Sequence, residues 1–357
     1  MLKPRSSARV MLAVLLSGTM WYVSAGINHV WIAAWLAPFP ILVVLLDLPA
    51  AHAAMAAFIA STIGALSFVV AYRGLPPLLL ASVVLLFAVP FTCVVSLWRA
   101  IALQARPDVA VVAYPGLVVS AEYLISLVSP HGTFGSLAYS QADVPIILQL
   151  ASVTGLWGIS FLMSLVPAAL TIAWRHRQEH KIAGRVLMVG ILPLGLAVAF
   201  GAVRLIRPMP ATHVRVGLAV SDVGAGRHFA TQDPVEALSV VRANANRAAA
   251  LAKGGVQFVV LPEKFVGITP EYADRALAIL SEVARDAHVT VVAGFNFLSL
   301  PERRNLAVVF GPGGQVVLEY DKQHFVPGLE EGYRRGKVIG LVPGAAVATG
   351  VAICKDL

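Results

Sequence analysis

Apolar residues dominate the first 205 or so positions of the chain, in runs broken only by short polar loops. Crossing a bilayer as a helix takes about 20 predominantly apolar residues, and several runs reach that length. The pattern therefore predicts an all-α membrane bundle of about seven helices. The predicted helices cover residues 10–26, 31–48, 52–71, 76–98, 109–129, 147–173 and 186–205.

After Thr212 the runs become shorter and alternate between strand-like and amphipathic helical patterns. Asp233 followed by Pro234 is typical of a helix start, and Gly254 of a helix end. Alternating strands and helices predict an α/β layered domain, with a bundle at 1–208 and this domain at 209–357. Strands are predicted at 213–220, 256–261, 288–293 and 346–353, helices at 233–253 and 271–287, and a hairpin at 306–310 and 315–320.

Composition agrees with membrane insertion, because only 13% of the residues are charged whereas soluble domains have about 25%. The net charge of +8 does not indicate a nucleic-acid partner, since the basic residues lie mainly in loops between apolar runs. Their asymmetry predicts a cytoplasmic N-terminus and an outward-facing α/β domain. One side holds Lys3, Arg5, Arg9, Arg99, Arg106, Arg175, Arg177, Lys181 and Arg185, and the other Arg73, Arg204 and Arg207.

Glu263, Lys322 and Cys354 each follow a predicted strand, and α/β folds assemble active sites at strand ends. A carboxylate base, an ammonium group and a thiol form a complete set for acyl transfer through a covalent intermediate. The alternative interpretation gives each a structural place: Cys354 as a buried thiol, Glu263 as a helix-terminal carboxylate and Lys322 as a solvated hairpin residue. No paired histidine spacing or Gly-rich phosphate loop occurs, so neither a metal nor a cofactor is predicted.

Sequence motifs add a family resemblance to this chemistry. The segments LPEK at 261–264, YDKQH at 320–324 and AICKD at 352–356 resemble the ordered Glu-Lys-Cys triad of the nitrilase superfamily. WLAPFPIL at 35–42, GSLAYSQAD at 135–143 and GLWGISF at 155–161 are similar to motifs in the membrane half of the apolipoprotein N-acyltransferase family. The resemblance extends from about residue 30 to residue 357.

This resemblance implies a mechanism, further site residues and partners. Glu263 would be the base, Cys354 the nucleophile and Lys322 the oxyanion stabiliser, with Glu330 and Asp356 as auxiliary carboxylates. The implied acyl donor is a phospholipid, and the acceptor is the amine of a diacylglyceryl-modified lipoprotein at the bacterial inner membrane. Glu122 matches a glutamate within the family's bundle, where either a functional or a hydrogen-bonded structural role fits an intramembrane carboxylate.

Three departures from the family pattern leave the acyl acceptor open. The Phe-Gly order is lost at 326–329, Ile125 replaces an arginine, and Lys355 stands where the family has an aromatic residue. The family's domain continues well beyond its cysteine, so the 357 residues are expected to be a fragment. Two alternatives therefore remain: a membrane-anchored amidase or nitrilase-type hydrolase, and an inactive truncated homologue.

Overall fold

The computed structural model describes residues 4–25, 30–207, 213–220, 230–299, 301–327, 329–344 and 348–356. The chain divides into two compact units, Met1–Met209 and Pro210–Leu357.

The first unit is helical. Its helices are α1 (Pro4–Ser24), α2 (Trp31–Leu36), α3 (Pro38–Leu45), α4 (Ala50–Ala71), α5 (Pro77–Ala102), α6 (Pro107–Val128), α7 (Pro145–Leu148), α8 (Ala151–Arg175) and α9 (His180–Ile206). Among the described residues, α4, α5, α6, α8 and α9 are long and apolar enough to cross a membrane. Each coincides with a predicted span, and α1 coincides with the first one.

The second predicted span, residues 31–48, is not one helix. It forms α2 and α3, which together cover Trp31–Leu45 and are shorter than a membrane crossing requires. Pro38 begins α3, and a proline has no N–H to continue the hydrogen bonds of the preceding helix. The Arg99 guanidinium donates to the Leu45 carbonyl at 2.8 Å and also to that of Leu48, so it satisfies carbonyls where α3 ends.

Close helix packing in this unit depends on small residues. A Cβ atom on Gly64 of α4 would lie 2.5 Å from the Cβ of Trp21, so only glycine permits this approach of α1 and α4. A large side chain in this core also has a hydrogen-bond partner for its polar atom. The fully buried Trp98 donates from Nε1 to the Ala110 carbonyl at 2.8 Å.

Over its described residues, the second unit contains a six-stranded mixed sheet and two α-helices. Its elements are β1 (Val216–Leu218), α10 (Pro234–Ala252), β2 (Phe258–Val260), β3 (Val266–Ile268), α11 (Ala273–Asp286), β4 (Thr290–Phe297), β5 (Arg304–Phe310) and β6 (Val316–Asp321). The strand order is β1-β2-β4-β5-β6, and β3 also pairs with β4. The pairs β1–β2, β2–β4 and β3–β4 are parallel, whereas the pairs β4–β5 and β5–β6 are antiparallel.

Local sequence signals explain most of these elements. The Asp233 side chain accepts a hydrogen bond from the Val235 amide at 3.0 Å, which confirms the predicted helix N-cap. The predicted hairpin is β5 and β6, with Phe310 aligned opposite Val316. Both helices contribute to a core shared with the sheet, which includes Val241 and Leu280 from the helices and Phe295 from β4.

Two features of the second unit differ from the prediction. β3 was not predicted, because three residues are too short to show a periodic pattern. The predicted strand at 346–353 is wrong for the described residues from 348 onward, where Gly350 forms only an isolated bridge with Leu341. The chain turns at Pro343 and Gly344, and two backbone hydrogen bonds, from Val342 to Thr349 and from Val351 to Gly340, accompany the bridge.

Candidate active site

Glu263 lies in a short connection between β2 and β3, held on both sides by the central strand β4. The Leu261 amide donates to the Val292 carbonyl at 2.8 Å, and the Phe265 amide donates to the Gly294 carbonyl at 3.0 Å. A Cβ atom on Gly294 would lie 2.5 Å from the Pro262 oxygen and 2.7 Å from the Glu263 Cα. Glycine in β4 therefore lets the Glu263 backbone lie directly against the sheet.

Lys322 follows β6 immediately, and its side chain is almost fully buried. Its backbone amide continues the hairpin ladder by donating to the Asn305 carbonyl at 3.0 Å. Its Nζ lies 3.0 Å from Glu263 Oε1 and 2.9 Å from Glu330 Oε2. Burial alone would lower the pKa of Lys322, but the hydrogen bonds to Glu330 and Glu263 raise it above its ordinary value. The ammonium group therefore stays charged.

Glu330 is a buried carboxylate with four hydrogen-bond donors. Its Oε1 accepts from Lys264 Nζ at 2.8 Å and from Asn305 Nδ2 at 2.8 Å, while its Oε2 accepts from the Val326 amide at 2.9 Å. Burial alone would raise the pKa of Glu330, but the two ammonium groups and the Val326 amide outweigh it and lower the pKa to about 2. Glu330 is therefore ionised at neutral pH.

Asn305 joins the two carboxylates. From the middle of the sheet, where it is fully buried, its Nδ2 donates to Glu263 Oε1 at 2.6 Å and to Glu330 Oε1. Glu263 Oε1 thus has two donors, Asn305 and Lys322, whereas Glu263 Oε2 accepts no hydrogen bond from the described residues. That second oxygen is available as a proton acceptor.

Asp356 belongs to a separate cluster that anchors the turn bearing Cys354. Its carboxylate accepts from the Tyr320 hydroxyl at 2.8 Å and from the backbone amides of Gln323 and His324, the residues directly after Lys322. Burial alone would raise the pKa of Asp356, but these donors lower it below its ordinary value. Burial, with the bond to Asp356, raises the pKa of Tyr320 to about 12. The cysteine turn is thereby tied to the lysine segment.

Cys354 occupies a single 3-10 turn, Cys354–Asp356, with a left-handed backbone at φ +48°. Its thiol is free and exposed, and it makes no hydrogen bond to the described side chains of Glu263 or Lys322. The structure therefore joins Glu263, Lys322 and Glu330 directly, and it brings Cys354 to their neighbourhood through Asp356. A left-handed non-glycine residue is rare and recurs at functional sites.

Sequence reasoning missed two members of the site, Asn305 and Lys264. Asn305 carried a signal, because it is an amide inside the otherwise apolar strand NLAVVF. Lys264 adjoins Glu263 in the sequence, yet its partner Glu330 lies 66 residues away and only the fold reveals the contact.

Glu122 lies in the membrane unit, in α6, beside a cavity of about 460 Å³ that is lined mainly by apolar and aromatic side chains. Its Oε1 accepts from the Leu137 amide at 2.8 Å, and its Oε2 accepts from the Ser136 hydroxyl at 3.0 Å. Both donors are uncharged and belong to the loop after α6, so the carboxylate fastens that loop to the helix.

Two of the membrane motifs also meet. The indole Nε1 of Trp35 donates to Gln141 Oε1 at 2.9 Å, and the Gln141 side chain donates in turn to the Trp31 carbonyl at 3.2 Å. Trp35 and Gln141 are both buried, so this polar pair fixes α2 against the 3-10 turn Leu137–Gln141.

Comparisons with known proteins assign both units. Residues 17–169 match the apolipoprotein N-acyltransferase N-terminal domain, and residues 231–357 match the carbon-nitrogen hydrolase family. Apolipoprotein N-acyltransferases of Geobacter metallireducens and Sinorhizobium medicae are 25% and 28% identical over 229 and 220 residues. These alignments cover 60% and 58% of this chain but 42% and 40% of the relatives, so the chain spans about two fifths of their length.

Solved structures similar to this chain include an amidase from Nesterenkonia sp. AN1, at 22% identity and a TM-score of 0.31, covering 40% of this chain and 57% of the amidase. A carbon-nitrogen hydrolase from Helicobacter pylori G27 is 20% identical with a TM-score of 0.27, covering 36% of this chain and 46% of that one.

The apolar helices followed by a mixed-sheet domain with a buried Glu-Lys cluster define a membrane protein that carries a nitrilase-like, carbon-nitrogen hydrolase domain. With both matched domains in this order, the chain is similar to the apolipoprotein N-acyltransferases in both of its units.

Proposed function

We propose that this protein is an N-acyltransferase that moves an acyl chain from a phospholipid, through a thioester on Cys354, to the N-terminal amine of a diacylglyceryl-modified lipoprotein. The observation that carries this proposal is the buried cluster in which Lys322 contacts both Glu263 and Glu330 beside the anchored Cys354 turn. The names of the relatives support the choice of acyl transfer.

The first half-reaction loads the enzyme. Oε2 of Glu263 takes the thiol proton of Cys354, and the thiolate attacks the ester carbonyl of the phospholipid. The ammonium of Lys322 stabilises the negative charge that develops on the carbonyl oxygen. When the C–O ester bond breaks, the leaving alkoxide takes the proton back from Glu263, which yields a lysophospholipid and a thioester.

The second half-reaction unloads it. The lipoprotein amine attacks the thioester carbonyl, Lys322 again faces the oxyanion, and Glu263 accepts the proton that the amine loses. Breaking the C–S bond expels the Cys354 thiolate, which Glu263 reprotonates, and an amide is the product. Attack by water instead would make the protein a hydrolase, which is the alternative function.

Membrane embedding fits this chemistry, because both substrates are lipids and a bundle of apolar helices keeps the enzyme in the bilayer that contains them. The basic residues of the loops support an inner-membrane topology with a cytoplasmic N-terminus and a periplasmic second unit. A periplasm-dependent reporter fused after Arg207 is then active. Activity of a cytoplasm-dependent reporter at that position would overturn the topology and the lipoprotein acceptor together.

Vesicles that contain the protein, a phospholipid with a labelled acyl chain and a diacylglyceryl-cysteine peptide test the acceptor. We expect the label on the peptide amine, with Cys93→Ser retaining transfer and Cys354→Ser abolishing it, because only the second thiol lies in the matched hydrolase domain. Release of labelled free fatty acid with an unlabelled peptide would replace the transferase by the hydrolase. Transfer that persists in Cys354→Ser would remove the thioester.

A further inference from the structure

Lys264 is a second ammonium group in the site, next to the proposed base. Its Nζ donates to Glu330 Oε1 at 2.8 Å, and it also lies 5.2 Å from the centre of the Tyr333 ring. Its side chain is 21% exposed, whereas that of Glu330 is 2% exposed. The contact is therefore a largely desolvated ion pair with an additional cation–π interaction.

The backbone at Lys264 supports a specific role for this contact. Its φ is +46°, in the left-handed region that a long side chain rarely adopts. Such a conformation persists only where surrounding contacts over-determine it, and these often lie at functional sites. The Tyr333 ring beneath the ammonium is itself held, because its hydroxyl donates to Asn296 Oδ1 at 2.8 Å.

The charges of the cluster balance only when Lys264 is counted. Glu263 and Glu330 contribute two negative charges, and Lys322 and Lys264 contribute two positive charges. Without Lys264, one ammonium would be shared between two carboxylates, of which Glu330 is buried and Glu263 is partly buried. That arrangement favours protonation of a carboxylate and draws Lys322 away from a developing oxyanion.

We infer that Lys264 is a positioning residue for the acyl-transfer reaction: by binding Glu330 it balances the charge of that carboxylate, so that Lys322 stays available to Glu263 and to the oxyanion. This inference rests on the proposed function. Lys264 touches neither the thiol nor the acyl group in this account, and it acts through Glu330 and Lys322.

The test is the pH dependence of thioester formation on Cys354, measured by quenched mass spectrometry of the whole protein in phospholipid vesicles. Lys264→Met keeps an apolar stem over the Tyr333 ring but removes the charge. In the plot of thioester-formation rate against pH, we expect the acid limb, where the rate falls as the pH falls, to move to higher pH by about one unit in Lys264→Met. At a pH below that limb the rate should fall about tenfold, and the KM for phospholipid should stay unchanged. Lys264→Arg restores the limb, and the exposed Lys253→Met serves as the matched control.

A purely structural tether would lower the rate of Lys264→Met at every pH and leave the acid limb in place, which would overturn the inference alone. The inference would also be overturned if Lys264→Met had the acid limb and the rate of the unaltered protein. If the unaltered protein forms no thioester on Cys354 at any pH, the proposed function fails and the inference falls with it.

Discussion

Each unit holds a hydrogen-bonded carboxylate, Glu330 or Glu122, and the two differ in their donors. Glu330 in the second unit contacts two ammonium groups, an amide side chain and a backbone amide, and its side chain is 2% exposed. Glu122 in the membrane unit accepts from a hydroxyl and a backbone amide, both uncharged. The first arrangement stabilises a negative charge with two ammonium groups, and the second fastens a loop to a helix. The donors, charged in one case and uncharged in the other, distinguish the two carboxylates.

Replacing Glu330 should have the largest effect. Glu330→Gln leaves two ammonium groups without their shared carboxylate, and removing one partner of a buried pair costs about 3–5 kcal/mol in the free energy of unfolding. Chemical denaturation of the protein in detergent measures this loss, with the neighbouring exposed Glu331→Gln as control. A loss equal to that of the control would mean that the ion pairs contribute nothing net.

The same carboxylate predicts a pH dependence. Its pKa is lowered from 4.5 to about 2 in the folded protein, so its contribution is fully present above pH 4.5 and is lost as the pH falls towards 2. Glu330→Gln should therefore flatten the acid side of the stability curve of the second unit. An unchanged acid slope in that variant would assign the dependence to other groups, of which Asp356 is the first to test.

Asp356 should give an intermediate effect, because its donors are mostly backbone amides and a tyrosine hydroxyl rather than ammonium groups. Hydrogen bonds to a charged group contribute about 1.5–3 kcal/mol, so Asp356→Asn should release the Cys354 turn at roughly that cost. Hydrogen exchange of residues 348–356 reports the release, with Asp286→Asn, whose side chain is 72% exposed, as control. Equal exchange in both variants would show that Asp356 does not hold the turn.

Glu122 should show the smallest effect. Glu122→Gln keeps a carbonyl acceptor and adds a donor that the Ser136 hydroxyl can accept, so stability should change by less than about 1 kcal/mol. Glu122→Leu leaves the Leu137 amide unpaired and should cost about 1–3 kcal/mol. Thermal unfolding of the bundle in detergent separates the two. A folded Glu122→Gln protein without acyl transfer would instead place the carboxylate in the reaction.

The contrast between the units also shows what sequence patterns predict. Span lengths followed from apolar run length, and the hairpin and the Asp233 cap followed from local turn and capping signals. The break at Pro38 depends on a proline inside an apolar run, where hydrophobicity alone suggests continuity. The apolar pattern before Cys354 likewise suggested a strand, where the structure has only the bridge of Gly350 with Leu341.

The candidate site was predictable where a residue type implies chemistry. Glu263, Lys322 and Glu330 meet as their motifs suggested, whereas their catalytic roles remain predictions. Asn305 and Lys264 escaped notice because their partners are distant in sequence, and only the pairing of β5 with β4 and β6 brings these side chains together. The contact of Lys264 with Glu330 has no local sequence signal, whereas Asn305 stands out as an amide inside an apolar strand.

The central claim is that Cys354 carries the acyl chain. The most direct measurement is mass spectrometry of the peptide containing Cys354 after the protein is incubated with phospholipid vesicles. We predict a mass increase of one acyl group on Cys354 that neutral hydroxylamine removes, because a thioester is cleaved under conditions that spare an amide, and the adduct should be absent from Lys322→Met. An unmodified Cys354, or an acyl group that hydroxylamine leaves in place, would contradict the account.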